Sequence, residues 1–326
     1  GEYNTASARD ATVPGAYNNN ASGQDAVVAG GRGNTAGGED STVGGGLSNF
    51  ATALYATAGG GTLNRASGQS ATVAGGNANE ATGANSAVGG GNINRAAGSA
   101  ATVAGGRNNR ATGAHAAIPG GGDNRAEGQY SFAAGRNAVA AHDGAFVWAD
   151  SHPFEFASYM KNQFMLRATG GVRIITAIDE AGNPTAGVVV APGGSAWSAA
   201  SDRAIKENVE PADGAQILAR LADLPISTWN YVAQDPSIRH IGPMAQDFYA
   251  AFGVGEDERH ISSVDADGVA LAAVQALQRQ VAAQEQRIAE LEERLKALEE
   301  SAGQGDAGGA ASGGIPVWIL AGGALV

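Results

Sequence analysis

The chain has 326 residues, 50 of them glycine and only 6% aromatic, about twice the usual glycine share, which favours a rod over an enzyme core. A formal net charge of −12 argues against a nucleic-acid backbone or an anionic membrane surface as the main partner. With no cysteine, disulfides and thiolate metal sites are ruled out, and no cofactor or metal is expected.

From Gly15 to Gly135 every fifteenth residue is glycine, and alanine from Ala6 to Ala126 and asparagine from Asn4 to Asn124 keep the same beat. A strict period of this length is the signature of a solenoid, one coil per repeat. Within a coil, Ala71, Val73 and Gly75 alternate with polar or tiny residues at the period of a strand. Two short strands and two turns then fill each unit. The glycine column, often doubled as in Gly75-Gly76, is predicted to supply the positive φ of a tight corner. A second column, from Gly23 to Gly128 with Ala8 and Ala53 as departures, is predicted to form the other corner. Inward positions are expected to hold only Ala, Ser, Val and Ile, so the interior is narrow. Such a roll buries too little to stand alone, and several copies are expected to pack side by side. Stacked at ~4.8 Å, nine coils reach about 43 Å. Gly59-Gly60-Gly61 and Gly89-Gly90-Gly91 are not read as phosphate cradles, because those open a helix once per domain, and the period excludes collagen. The chain opens on Gly1 with Asn4 already in its column, as in a trimmed or processed product, and says nothing of a signal peptide.

Past residue 138 the columns fail and larger residues enter, from Phe146 and Trp148 to Phe164. Phe164 and Leu166, with Val172 and Ile174 across Gly170-Gly171, predict a β-hairpin, and Gly187 to Val190 another strand. The small residues from Ala191 to Ala200 read as a flexible loop where the chain can be cut.

Four motifs follow: Ser201-Asp202-Arg203-Ala204-Ile205-Lys206-Glu207-Asn208, Pro225 to Tyr231, Arg239 to Phe248, and Val264 to Ala270. In type and order they resemble the self-cleaving intramolecular chaperone domain at the C-termini of endosialidase tailspikes, other phage fibres and some bacterial surface fibres. The resemblance implies a scissile bond between Ala200 and Ser201, with Ser201 as nucleophile and Lys206 as base. The repeats separately resemble the head of YadA-like trimeric autotransporter adhesins, which implies a left-handed parallel β-roll in a homotrimer.

The chemistry also follows from the residues. Attack by the Ser201 hydroxyl on the carbonyl of Ala200 closes a five-membered ring, so proximity is built in. Lysine serves as base only where desolvation or a cationic neighbour favours its neutral form, and Arg203 and an assembled trimer are the candidate sources. Asp202 either orients Lys206 or caps the following turn. His240 is read either as a satisfied histidine beside a turn or as an auxiliary in cleavage. Asp265-Ala266-Asp267-Gly268 lacks the downstream glutamate of a calcium loop and reads as a helix N-cap.

From Asp267 a long helix is predicted with Val274, Val281, Ile288 and Leu295 at one heptad core position and Leu277, Gln284, Leu291 and Leu298 at the other. Arg287 with Glu292 and Arg294 with Glu299 suit pairs between parallel helices, and Gln284 suits a register marker. The β-branched and leucine positions by themselves favour two strands. A helix fused to a three-sided roll shares its symmetry, so the resemblance implies three.

The expected division is a β-roll head at 1–138, a β-rich neck and cleavage loop at 139–200, an α+β chaperone and auto-peptidase domain at 201–266, a coiled coil at 267–300, a linker at 301–314, and a hydrophobic tail at 315–326. That tail is shorter than the ~20 residues that span a bilayer. It reads as a truncated transmembrane helix that anchors the chain before cleavage, or as a self-packing tail. The functional expectation is a homotrimeric extracellular, cell-surface or virion fibre that assembles through its C-terminal domain and then cuts itself once. The rival readings are an adhesin whose head binds a cell-surface or glycan receptor, and a passive spacer.

Overall fold

The computed structural model describes residues 1–305; the tail at 315–326 and most of the expected linker lie outside the described residues. The chain divides into two compact units that meet between Ala200 and Ser201.

The first unit is a parallel β-solenoid, with an eleven-stranded and a ten-stranded sheet running its length. As far as Ala126 its strands are two residues long and step by one repeat, so that Glu80 lies between Arg65 and Arg95, and Ala87 between Thr72 and Thr102. A third line of single bridges, through Thr62, Asn77 and Asn92, marks a corner that the columns did not reveal. Alternation sets the facing of each strand: Thr72 points out and Val73 is fully buried. Columns of alanine and valine, with Ile118, make one continuous thin core.

The interior is not limited to small apolar residues and serine. Asn34, Asn49, Asn64 and Asn79 are all 0% exposed, and they form a ladder. Asn64 Nδ2 donates to the carbonyls of Gly60 and Gly76, each at 2.8 Å, and its backbone N–H donates to Asn49 Oδ1 at 2.9 Å. Asn64 Oδ1 in turn accepts the N–H of Asn79 at 3.0 Å. A buried amide is tolerated because its donors and acceptor are matched in every coil. That repeated match requires the asparagine column.

The corner chemistry also differs from expectation. The left-handed residue is mostly the one after the invariant glycine: Gly61, Gly76 and Gly106 have φ of +81°, +90° and +89° while Gly60, Gly75 and Gly105 do not, although the column itself takes positive φ at Gly45, Gly90, Gly120 and Gly135. In the second column, Gly68 and Gly83 are not left-handed either. A Cβ on Gly68 would collide with the carbonyl oxygen of Gly83, so close approach between coils is what glycine serves there.

The roll does not end at residue 138. Strands at Phe146–Ala149 and Phe164–Arg167 extend the same sheet, pairing Phe132 with Phe146 and Phe146 with Phe164. These coils are fourteen and eighteen residues long, which breaks the columns without breaking the stack. Phe164 and Leu166 therefore belong to a parallel ladder, and the expected hairpin partner of Val172–Ile178 is instead Pro184–Val190. The last coil closes on Asp150, whose carboxylate accepts from Thr169 N–H (3.0 Å), Thr169 Oγ1 (2.8 Å) and Arg167 Nε (2.9 Å). Ser198–Ala199 joins the hairpin as a third strand, so the expected loop at 191–200 is ordered at its end.

In the second unit, α1 (Gly214–Asp223), α2 (Ala245–Phe252) and α3 (Ser263–Gly305) surround a small core of Leu224, Phe248 and Val269. Asp213 caps α1 by accepting the N–H groups of Ala215 and Gln216, both at 3.1 Å. Helix α3 starts before Asp267, because Ser262 Oγ accepts the N–H of Asp265 at 3.2 Å and donates to its carboxylate at 2.9 Å. It also runs through Gly305, into the stretch expected to be a linker.

Candidate cleavage site

The site is built on one short turn. Asp202 adopts an extended conformation and accepts the N–H of Ala204 at 2.8 Å, capping a 3-10 turn over Arg203–Ile205. The turn closes where the Lys206 N–H donates to the Arg203 carbonyl. Chain reversal brings Lys206 Nζ to 2.7 Å from Ser201 Oγ, with the amine donating. Both side chains are exposed in the single chain. Of the two roles open to Asp202, capping is the one its geometry fits.

On the other side of the bond, Ser198–Ala199 pairs antiparallel with Val188 and Val189, and the Ala200 N–H donates to the Gly187 carbonyl at 3.2 Å. Gly187 has φ +147°, and a Cβ there would collide with the carbonyl of Ile174. The Ala200 side of the bond is thus held by a strand edge. Gly187 was legible only as part of a strand, because nothing local to it names Ala200 as its partner.

His240 sits elsewhere in the second unit. Its Nε2 bonds Gln234 Oε1 at 2.8 Å, and its ring packs on Trp229 and Tyr231 with centroids 4.8 and 5.4 Å away. No hydrogen bond joins it to Ser201 or Lys206 among the described residues. Strands Ser227–Trp229 and His240–Gly242 pair antiparallel, which brings the second and third motifs together. Arg239 ties them, donating to Thr228 O at 2.9 Å and Thr228 Oγ1 at 3.0 Å. The indole Nε1 of Trp229 is buried and has no acceptor among the described residues.

The fourth motif lies at the start of α3, where Val269 enters the core. Further along α3 the heptad residues stand open: Val274, Leu277, Ile288, Leu291 and Leu298 are 50–66% exposed. Among the described residues there is no cluster of metal-binding side chains and no helix long and apolar enough to cross a membrane.

Residues 201–254 match the family model described as the chaperone of endosialidase, a peptidase family. The match begins at Ser201 and covers the capped turn, the paired strands and α2. It supports a C-terminal chaperone domain with self-cleaving peptidase character on a fibre-like β-solenoid protein. A search of curated proteins gave no match to the chain.

Proposed function

We propose that this chain is a homotrimeric extracellular fibre whose C-terminal unit holds three copies in register during folding and then cuts the Ala200–Ser201 bond. The observation that carries this is the 2.7 Å approach of Lys206 Nζ to Ser201 Oγ, next to a bond that coincides with the boundary between two compact units. The Ser201 oxygen attacks the Ala200 carbonyl carbon as its proton passes to a neutral Lys206 amine. The C–N bond then breaks, and that proton goes to the departing Ser201 nitrogen. The resulting ester between Ala200 and Ser201 Oγ is hydrolysed by water, which restores the hydroxyl and leaves a carboxylate on Ala200. Each chain reacts once, and no external substrate is required.

Water around an exposed lysine favours the charged form, in which the amine donates to Ser201 and cannot take its proton. Enclosure by neighbouring chains removes that water, which couples cleavage to assembly. The bare heptad face of α3 is the surface such neighbours would cover. Coiled-coil pairing in threes belongs to this reading, as do the surface or virion location and membrane attachment through the tail.

The test is the mass of the folded full chain and the first residue of its smaller product. Two fragments with the second starting at Ser201, and intact chains for Ser201→Ala and Lys206→Ala, are expected. A different first residue, or cleavage in both variants, would overturn the assignment.

A further inference from the structure

The two faces of the solenoid differ in one respect that its own folding does not require. The outward column of the eleven-stranded sheet carries Arg65, Glu80, Arg95, Arg110 and Arg125 in five successive strands. The outward column of the ten-stranded sheet carries no charge along its whole length. From Val27 to Ala117 it is Val, Thr or Ala in every strand. It then becomes Phe132, Phe146 and Phe164, stacked with ring centroids 4.5 and 4.9 Å apart. Beside this stack Trp148 and Leu166 are also outward, and Phe164 is 69% exposed. A contiguous aromatic patch left open at one end of an uncharged sheet is the mark of an interaction surface rather than of a solvated one.

The invariant glycine column supports the same face independently. At Gly15, Gly30, Gly60, Gly75 and Gly105 the backbone is not left-handed, and an added Cβ would meet nothing within 4 Å. At these five positions nothing in the chain's own fold crowds a side chain, while close approach of a second backbone would; at Gly45, Gly90, Gly120 and Gly135 of the same column φ is +143°, +155°, +153° and +93°, which by itself favours glycine. These glycines lie three residues after the uncharged outward column, and the exposed residues between are Pro, Ala or Gly, as at Gly59, Ala74 and Ala104.

We infer that this face, from the Thr42–Val43 strand to the Phe132, Phe146 and Phe164 stack, is where three copies of this chain meet about their common axis. The inference rests on the assembly reading above and names its surface. Around a symmetry axis each copy presents the same patch to the others, so any charge on it would face its own kind. An uncharged face satisfies that condition; the arginine-bearing face does not. Eight intervals of ~4.8 Å make the strip about 38 Å tall, long enough for extended contact even though it is narrow. The small residues set a close approach and the aromatic patch supplies the apolar burial.

The chain has no cysteine, so single cysteines report the contact directly. In the full-length protein, Thr102→Cys is expected to be joined to a second chain by a short bis-maleimide, while Arg95→Cys on the opposite sheet is not. Thr72→Arg, on the exposed side of its strand, is expected to cut the Thr102→Cys crosslink severalfold when placed in the same chain, with light scattering still at three chains through the α3 heptads. Crosslinking through Arg95→Cys but not Thr102→Cys, or an undiminished Thr102→Cys crosslink in the Thr72→Arg chain, would overturn the face while leaving the trimer intact. A monomeric wild-type protein would overturn both.

Discussion

Lys206 Nζ reaches Ser201 Oγ at 2.7 Å because the turn between them is capped by Asp202. The pair therefore depends on a residue that takes no part in bond-making. Removing an N-cap side chain costs about 1 kcal/mol, which lowers the rate up to about fivefold if cleavage requires the closed turn. Asp202→Ala is expected to cleave more slowly by that factor and Asp202→Asn, an equal cap, at the wild-type rate. Lys206→Arg keeps the charge but cannot serve as a base near neutral pH, so it is expected to stay whole. Fragment yield against time after refolding measures all three, and a cleaving Lys206→Arg chain would remove Lys206 from the chemistry.

Asn64 is expected to be among the most sensitive positions of the roll. Truncation to alanine orphans the carbonyl of Gly60 and the buried N–H of Asn79, and leaves the Gly76 carbonyl with the Thr62 N–H alone. Each unsatisfied buried group costs about 1–3 kcal/mol, so Asn64→Ala is expected to destabilise by at least about 2 kcal/mol. Asn92, whose amide bonds Asn77 on the exposed corner at 3.0 Å, serves as the comparison. Its alanine variant is expected to stay within about 0.5 kcal/mol of wild type. Denaturant midpoints of the two variants decide the matter; equal losses would mean that the ladder contributes little.

The end of the roll has a predictable pH dependence. The backbone and hydroxyl of Thr169, followed by Arg167, hold the Asp150 carboxyl well below the usual carboxylate range. A group whose folded pKa is depressed stabilises fully above its unfolded value, about 3.9, and loses that contribution as pH falls through the folded value. Asp150→Asn is therefore expected to melt below wild type at neutral pH, with the gap narrowing under strong acid. A gap that stays constant from neutral to strongly acidic pH would show that shape and not charge holds the cluster.

Much of this molecule could be read from its columns because a solenoid repeats its side-chain environment as often as its sequence. Ala71 and Val73 point inward by strand alternation alone, and Ser201 and Lys206 stood out through their motif. Asn64 was misjudged because polarity suggested surface, and its partners at Gly76 and Asn79 come within reach only once coils stack. Gly75 was assigned the strain that Gly76 bears, since a doublet does not say which member is left-handed. The coils after residue 138 were hidden by their lengths, fourteen and eighteen residues, although Phe146 and Phe164 stack as their shorter counterparts do.

Those same irregular coils lead to the last prediction, that the C-terminal unit is needed to fold the fibre and dispensable afterwards. From Thr42 to Ala117 the uncharged face is nearly the same in every coil, so neighbouring chains slipped by one repeat make almost the same contacts. Near-degenerate alternatives of this kind are slow to sort. The Phe132, Phe146 and Phe164 stack, set by the odd coil lengths, distinguishes the aligned arrangement, and it lies toward the C-terminal end of the roll. Holding three chains together through the heptads of α3 would align that end first. Once the chains are aligned, loss of residues 201 onward removes the easiest route back to separate chains. Denatured, cleaved 1–200 protein is therefore expected to refold to trimer far more slowly and less completely than denatured Ser201→Ala full chain. Equal rate and yield from the two would show that the C-terminal unit does not guide assembly, whatever it cuts.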